Sequence, residues 1–454
     1  MTKDEKGRIV PDLAEILEQP DPVTYRFRLR QGVRFHDGKP LTASDVAFTF
    51  NTIRKGDLIT PKKETFKIIQ SIETPDDLTV VFRLSEPNAP FLSNLTTGIV
   101  QDGSKKGADF RPVGTGPFKF TERIPGSEIR FEANRFYFHG PPGIATLKYR
   151  IVPDATVRCL ELKKGSADLA INNIPLDLLG NLESESHLKI AKAPGTNYQY
   201  LCFNLQDPIL KHRKVRWAIS HAIDREAMIR YLLHGLAIPA KGILPPMNPF
   251  YEGDVAEYSF DPDRAMALLD EAGYPDPDDN GPRARFQLLY KTTYDDAALA
   301  RAQVIKDQLR RIGVDIRIRS YEWGTFYADI VRGKFQLFSL QWVGVSDPDI
   351  YDYAFHSERT PLWNDVKKRY EIRGANRGRY RNPELDNLLK LSALTVDLAA
   401  RQAVCSSIQR IVAQDAPYVS LWHPNNVAVM RQEVQGLKLY PAGDFRTLRF
   451  CTKN

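Results

Sequence analysis

Residues 24–53 constrain the fold more tightly than any other part of this 454-residue chain. From Thr24 to Arg30 the side chains alternate. Tyr25, Phe27 and Leu29 point one way, and Arg26, Arg28 and Arg30 the other. Period two with a charged opposite face predicts a strand with one buried side. His36-Asp37-Gly38-Lys39-Pro40 predicts a turn, because Asp-Gly tolerates positive φ and Pro40 ends the strand. A helix follows. Thr42 is its expected N-cap, Asp45 completes a capping box three residues on, and Leu41 is placed to staple onto Val46. Val46, Phe50 and Ile53 fall on one apolar face.

The wording of this stretch carries a second signal. Leu-Arg-Gln-Gly-Val-Arg-Phe-His-Asp-Gly-Lys-Pro-Leu-Thr-Ala-Ser-Asp-Val, from Leu29 to Val46, resembles the signature of the extracytoplasmic solute-binding proteins of the peptide/nickel ABC-importer class. That class, family 5, includes dipeptide-, oligopeptide- and nickel-binding proteins. Pro11 to Ala14 resembles the segment that precedes the signature. Val113 to Phe118 resembles the family's Gly-Thr-Gly-Pro turn, and Asp154 to Asp168 its Asp-x-x-Thr-Arg segment. Matches continue beyond Trp422 and cover most of the chain.

The resemblance implies an α/β fold of the type II periplasmic-binding-protein kind, with two lobes and a ligand cleft. Lobe I is expected over 1–20, 140–203 and 425–454, an extra subdomain over 21–139, and lobe II over 204–424. Hinges are expected after the strand Tyr198–Asn204 and near Trp422 and His423. The implied function is capture of a peptide-like or other small solute and its delivery to ABC-transporter permease subunits. The same resemblance implies a monomer that is periplasmic or membrane-anchored. Family members carry a further strand and an export signal upstream of the first matching segment. The chain is therefore expected to be N-terminally shortened, and a ligand-sensing regulatory module of the same fold stays open as the alternative.

Composition is compatible with this. Hydrophobic residues make up 42% and charged residues 26%, as in ordinary globular domains. No apolar run approaches the roughly 18 residues of a membrane span. Met1-Thr2-Lys3-Asp4-Glu5-Lys6 lacks the apolar core of a signal peptide. Cys159, Cys202, Cys405 and Cys451 form no metal spacing and read as buried free thiols. The net charge is +7, concentrated in Lys367, Lys368, Arg369, Arg373, Arg377, Arg379 and Arg381. This run reads as a solvated loop. A nucleic-acid surface interleaved by Tyr370 and Tyr380, or a wall facing an anionic ligand or membrane, are its alternatives.

Further along, Thr79–Leu84 and Leu147–Pro153 read as strands. Leu147–Pro153, the capped helix from Asp154 and the segment Ala167–Ala170 together predict a parallel crossover. Val215, Ile219, Ala222, Ile223 and Ile229 predict one long helix ending near Gly235. Asp261 and Gly273 bound another helix, and a further amphipathic helix runs from Asp295 to Arg311. Val314, Ile316 and Ile318 then alternate as a strand, and Leu337–Trp342 is a second. Pro383–Leu394 and Asp397–Gln414 read as helices.

No catalytic constellation is present: no His-Glu-x-x-His, no Gly-x-Ser-x-Gly and no complete phosphate loop. No enzyme, cofactor or metal site is expected. Asp347-Pro348-Asp349 reads as a capped turn rather than an acid/base pair. The segment Leu340–Tyr351 is the best ligand-reading candidate. Trp342 offers a flat wall with one donor, and Gly344 lets backbone approach a ligand. By resemblance, Trp342, Gly344, Ser346 and Tyr351 are expected ligand contacts, with Asn204, Phe91, Asn94, Arg377, Trp422 and His423; Arg379 shares the basic loop. In peptide-binding members an aspartate soon after this tryptophan pairs with the peptide's α-amino group. Here Val343-Gly344-Val345-Ser346 supplies none, and Asp347 matches the family's Asp-Pro turn. An unpaired buried ammonium is costly, so binding through a free N-terminus is not expected. Nickel is not implied either, since no histidine lies in this stretch.

Overall fold

A computed structural model describes residues 1–5, 7–56, 63–104, 111–278 and 281–454. The chain divides into two compact units. The first comprises Met1–Ala193, Leu394–Val396 and Asn426–Asn454, and the second Pro194–Ala393 and Asp397–Asn425.

In the first unit a four-stranded antiparallel sheet runs in the order Ala14–Asp21, Thr24–Leu29, Thr79–Leu84, Ile69–Asp76. Tyr25, Phe27 and Leu29 are buried, whereas Arg26 and Arg28 are exposed. The helix Ala43–Lys55 lays Val46, Phe50 and Ile53 on this face. Phe50 meets Phe82 edge-on with ring centroids 5.3 Å apart. The Asp45 carboxylate accepts from the Thr42 backbone N–H at 2.8 Å and its hydroxyl at 3.0 Å. It also accepts from the Asp102 N–H at 2.8 Å, tying the helix start to a distant loop. Leu41 does not act as the expected staple. It joins Val33 and Phe35 in a separate small cluster, because the turn folds back on itself there.

The turn is held by the Gly-Thr-Gly segment. The His36 backbone N–H donates to the Gly114 carbonyl at 2.8 Å, and its ring Nε2 to the Gly116 carbonyl at 3.0 Å. The Gly114 N–H donates to the ring Nδ1 at 3.3 Å. Burial lowers the pKa of this histidine, which favours the neutral ring this geometry needs.

The parallel crossover expected from 147–170 does not form. Thr146–Arg150 pairs antiparallel with Glu128–Ala133, whereas Leu169–Ile171 pairs antiparallel with Asn426–Arg431 in another sheet. The helix between them, Ala155–Lys163, is present and capped by Asp154 as expected. Local order and type were legible; the partner of Leu169–Ile171 lies more than 250 residues away in sequence, beyond any local signal.

The second unit is built on a six-stranded mixed sheet. Its order is Ala237–Pro239, Tyr418–Pro424, Tyr198–Phe203, Leu337–Trp342, Phe286–Thr293, Val314–Tyr321. The last two pairings are parallel. The capped helix Asp296–Arg310 makes the crossover between them. Tyr198–Phe203 is buried along its whole length. Leu201 and Phe203 enter one core cluster, and Tyr198, Tyr200 and Cys202 the cluster on the other face. This strand is hydrogen-bonded on both sides, so the chain enters the second unit at Pro194, not after residue 203. The long helix expected up to Gly235 is two, Arg213–Ala222 and Arg225–Leu232. Asp224 breaks it by accepting from the Ala227 N–H at 2.8 Å as the cap of the second. All four cysteines are buried and free.

Candidate functional site

The site residues of the second unit gather around the end of the strand Leu337–Trp342. Period two puts Tyr198 and Tyr200 on one face, where their rings stack 5.7 Å apart at 12°. Tyr200 also stacks on Tyr418, at 4.3 Å, and on Trp342, at 6.1 Å. Trp342 meets the edge of Tyr353 at 5.9 Å. On the other side the Arg377 guanidinium lies 5.5 Å from the Trp342 ring centroid and 5.3 Å from that of Tyr327. Tyr327 in turn stacks on Trp323 at 5.7 Å. The result is a continuous shelf, Trp323–Tyr327–Arg377–Trp342–Tyr353. Trp323 and Tyr353 are exposed at its two ends, and Val343 beside it is 72% exposed. The buried indole Nε1 of Trp342 has no hydrogen-bond acceptor among the described residues.

The loop after Trp342 is held from below. Gly344 has φ of +67°, a left-handed conformation that favours glycine, and its N–H donates to Asn197 Oδ1 at 2.8 Å. The Val345 N–H donates to the Thr196 carbonyl at 3.1 Å, and the Val345 side chain is buried. The Ser346 carbonyl accepts from Asn248 at 3.1 Å. His423 donates from Nδ1 to the Asn197 carbonyl at 2.9 Å, and burial pushes its pKa down to about 4. It is a neutral bracket for the strand crossing. Tyr351 is fully buried; its hydroxyl accepts from the Ile243 N–H at 3.2 Å. Trp422 packs in the core cluster on the opposite face of the sheet.

The remaining candidates lie elsewhere. Asn204 sits at the other end of the strand Tyr198–Phe203, where its amide donates to the Gly333 and Phe335 carbonyls at 3.1 and 2.9 Å. Phe91 and Asn94 belong to the first unit. Phe91 is fully buried against Tyr25 and Phe82, and Asn94 donates to the Pro90 carbonyl at 3.0 Å. The basic run is not one solvated loop. Lys367 and Arg373 pair with Glu371, and Arg379 is buried with a bond to the Val331 carbonyl at 3.0 Å. Asn197, Tyr200, Tyr327 and Tyr353 were missed from sequence; only the Tyr198/Tyr200 alternation was available as a signal.

Asp347 is committed to structure. It accepts from the Asp349 N–H at 3.0 Å and pairs with the buried Arg401 at 2.9 Å. Asp349 differs. Burial, with Asp347 and Asp352 nearby, raises its pKa from 3.8 to about 7, against the opposing pull of Arg401 and Arg359. A carboxyl raised in the folded state contributes stability below its unfolded pKa and loses it as pH climbs through the folded one. The window is therefore about pH 4 to 7. The rise sets a ceiling of about 4 kcal/mol, and partial solvent access reduces this to ~1–2 kcal/mol. Asp349→Asn is expected to raise the unfolding temperature at pH 8 and to leave it unchanged at pH 4. Thermal denaturation across this range checks it, and an equal effect at both pH values would refute it.

Among the described residues no three His, Cys, Asp or Glu side chains converge as a metal site. What the shelf offers is flat apolar surface, one cation and one free donor, which suits reversible binding of a small solute.

Comparison with known proteins shows what the chain as a whole is similar to. The chain is 30% identical over 464 residues to the oligopeptide-binding protein AppA of Bacillus subtilis (strain 168), spanning 97% of this chain and 83% of the relative. It is 28% identical to a dipeptide-binding protein of Escherichia coli (strain K12), over 96% of this chain and 84% of that one. The solved structure of Bacillus subtilis AppA with a nonapeptide superposes with a TM-score of 0.83 at 28% identity, covering 100% of this chain and 92% of that one. That of NikZ from Campylobacter jejuni with Ni(L-His) superposes with a TM-score of 0.85 at 25% identity, covering 99% and 92%. The fold is thus that of the type II periplasmic binding proteins. The model of the bacterial extracellular solute-binding proteins, family 5 Middle, matches residues 8–360, and the chain belongs to family 5 of those proteins.

Proposed function

We propose that this protein is the substrate-binding component of an ABC importer. It captures a peptide-like or other small solute and delivers it to permease subunits in the membrane, with no chemistry on the solute. The observation that carries this is the aromatic shelf around Trp342, set on the rigid end of a sheet strand in a chain that matches AppA over 97% of its length. Apolar enclosure by rings, with a few placed polar groups, is how small-solute sites gain affinity. The working form is a monomer outside the cytoplasm, either periplasmic or membrane-anchored. Among the described residues no helix is long and apolar enough to cross a membrane. Against a nucleic-acid surface, four of the cations of 367–381, Lys367, Arg373, Arg377 and Arg379, are held in ion pairs, ring contacts or a backbone bond.

Native mass spectrometry of the purified protein tests the reading. A small solute is expected to be retained and then released on denaturation. Trp342→Ala is expected to weaken rebinding at least tenfold, in the range for loss of an aromatic anchor, when measured below the variant's own unfolding temperature. A protein that retains no solute, and whose unfolding no peptide or metal chelate shifts, would not be an importer component.

A further inference from the structure

We propose that Arg377 and the Trp342 indole N–H together bind a carboxylate of the solute, so that the ligand is an acid with an apolar or planar body. This assignment rests on the solute-binding reading and names the chemistry of its site. Among the described residues, Arg377 has no carboxylate within ion-pair distance. Its neighbours are two aromatic faces, the Tyr327 hydroxyl at 3.2 Å and the Tyr200 hydroxyl, none of them charged. Three other partly or fully buried cations of this unit are matched by carboxylates, Lys291 by Asp329 at 2.5 Å, Arg401 by Asp347 at 2.9 Å and Arg359 by Asp352 at 2.7 Å, whereas Arg216, Arg225 and Arg379 donate to backbone carbonyls. Beside Arg377 lies Trp342, whose buried Nε1 donor lacks an acceptor among the described residues. A buried donor left unpaired is costly, and a guanidinium fork matches the two oxygens of a carboxylate. The site therefore holds donors in want of an acceptor.

The loop supplies nothing for an ammonium group. Val345 is buried and apolar, and Asp347 is already paired with Arg401. One unmatched cation suits a monoanion better than a phosphate dianion. Exposed Trp323 and Tyr353 flank the pair and give the rest of the solute flat apolar surface.

Matched probes separate the possibilities. Calorimetry would compare Ala-Phe, N-acetyl-Ala-Phe and Ala-Phe-amide, together with 3-phenylpropionate, 3-phenylpropylamine and phenyl phosphate. The carboxylates are expected to bind at least tenfold tighter than the amide and the amine, with acetylation of the N-terminus making no difference. Arg377→Gln is expected to abolish that preference, and Arg377→Lys to keep part of it, with unfolding temperatures recorded for both. Equal binding of acid and amide, a preference for free amine or phosphate, or a preference that survives Arg377→Gln would overturn the assignment. So would failure of all six probes. In that last case native mass spectrometry still judges the solute-binding reading, since retention of a neutral or cationic solute would uphold it and reject only the carboxylate.

Discussion

Replacing Arg216 by alanine is expected to destabilise the second unit by about 3–5 kcal/mol, the range for breaking a buried charged hydrogen-bond network. Arg216 lies on the helix Arg213–Ala222 and is buried. Its guanidinium donates to four backbone carbonyls. Nε reaches those of Asp415 and Ala416, each at 3.1 Å, and Nη2 reaches Asp415 again at 2.6 Å. Nη1 reaches Leu210 at 3.0 Å and Lys211 at 2.9 Å. Two of these carbonyls lie where the helix Leu398–Asp415 ends, at Ala416, which sits at φ of +45°. A helix end leaves carbonyls without intrahelical partners, and here one side chain satisfies them. Burial pushes the Arg216 pKa down to about 10, so the cation remains charged near neutrality. Alanine would leave the carbonyls buried and unpaired. At 2–4 °C per kcal/mol for a unit of this size, the unfolding temperature should fall by roughly 10 °C. Arg213→Ala is the control. Arg213 meets Asp415 at 3.1 Å but is half exposed, so its loss should cost less than about 1 kcal/mol. Equal losses for the two variants in chemical denaturation would refute the bracket.

Local chemistry was the legible part of this chain. The strand Thr24–Leu29, the capped helix Ala43–Lys55 and the helices capped by Asp154, Asp261, Asp295 and Asp397 all stand where their end signals put them. A cap is a contact over three residues, and its partners are adjacent in sequence. Asp224 shows the converse error. Apolar spacing ran through it unbroken, but an Asp side chain competes for backbone N–H groups and opened the helix. What the sequence hid was pairing at long range. Leu169–Ile171 finds its partner in Asn426–Arg431, and His36 finds Gly114 and Gly116. Composition could not place Arg377 either. It looked like one cation of a run, yet its neighbours Lys367 and Arg373 pair with Glu371 while it alone lies between Tyr327 and Trp342. The fate of a charge depends on what folds against it.

Phe91 carries the second large prediction, because sequence resemblance and geometry give it different tasks. Resemblance made it a ligand contact. In the structure only 1% of it is exposed, with its ring 4.9 Å from Tyr25 and 5.5 Å from Phe82, inside the core under the sheet of Thr24–Leu29. Truncating a phenylalanine in such a place removes apolar burial and leaves a cavity, at about 3–5 kcal/mol. Phe91→Ala is therefore expected to unfold the first unit roughly 10 °C earlier. Solute affinity, measured below that transition, should stay within about twofold. Phe91→Leu, which refills most of the volume, should recover more than half of the loss, since volume-conserving swaps cost less than about 1.5 kcal/mol. A ligand contact would behave in the opposite way, with affinity falling while the unfolding temperature held. The two outcomes separate cleanly in one calorimetric titration and one thermal scan of the same variant, because a side chain closed inside a core cannot touch a solute without that core first opening.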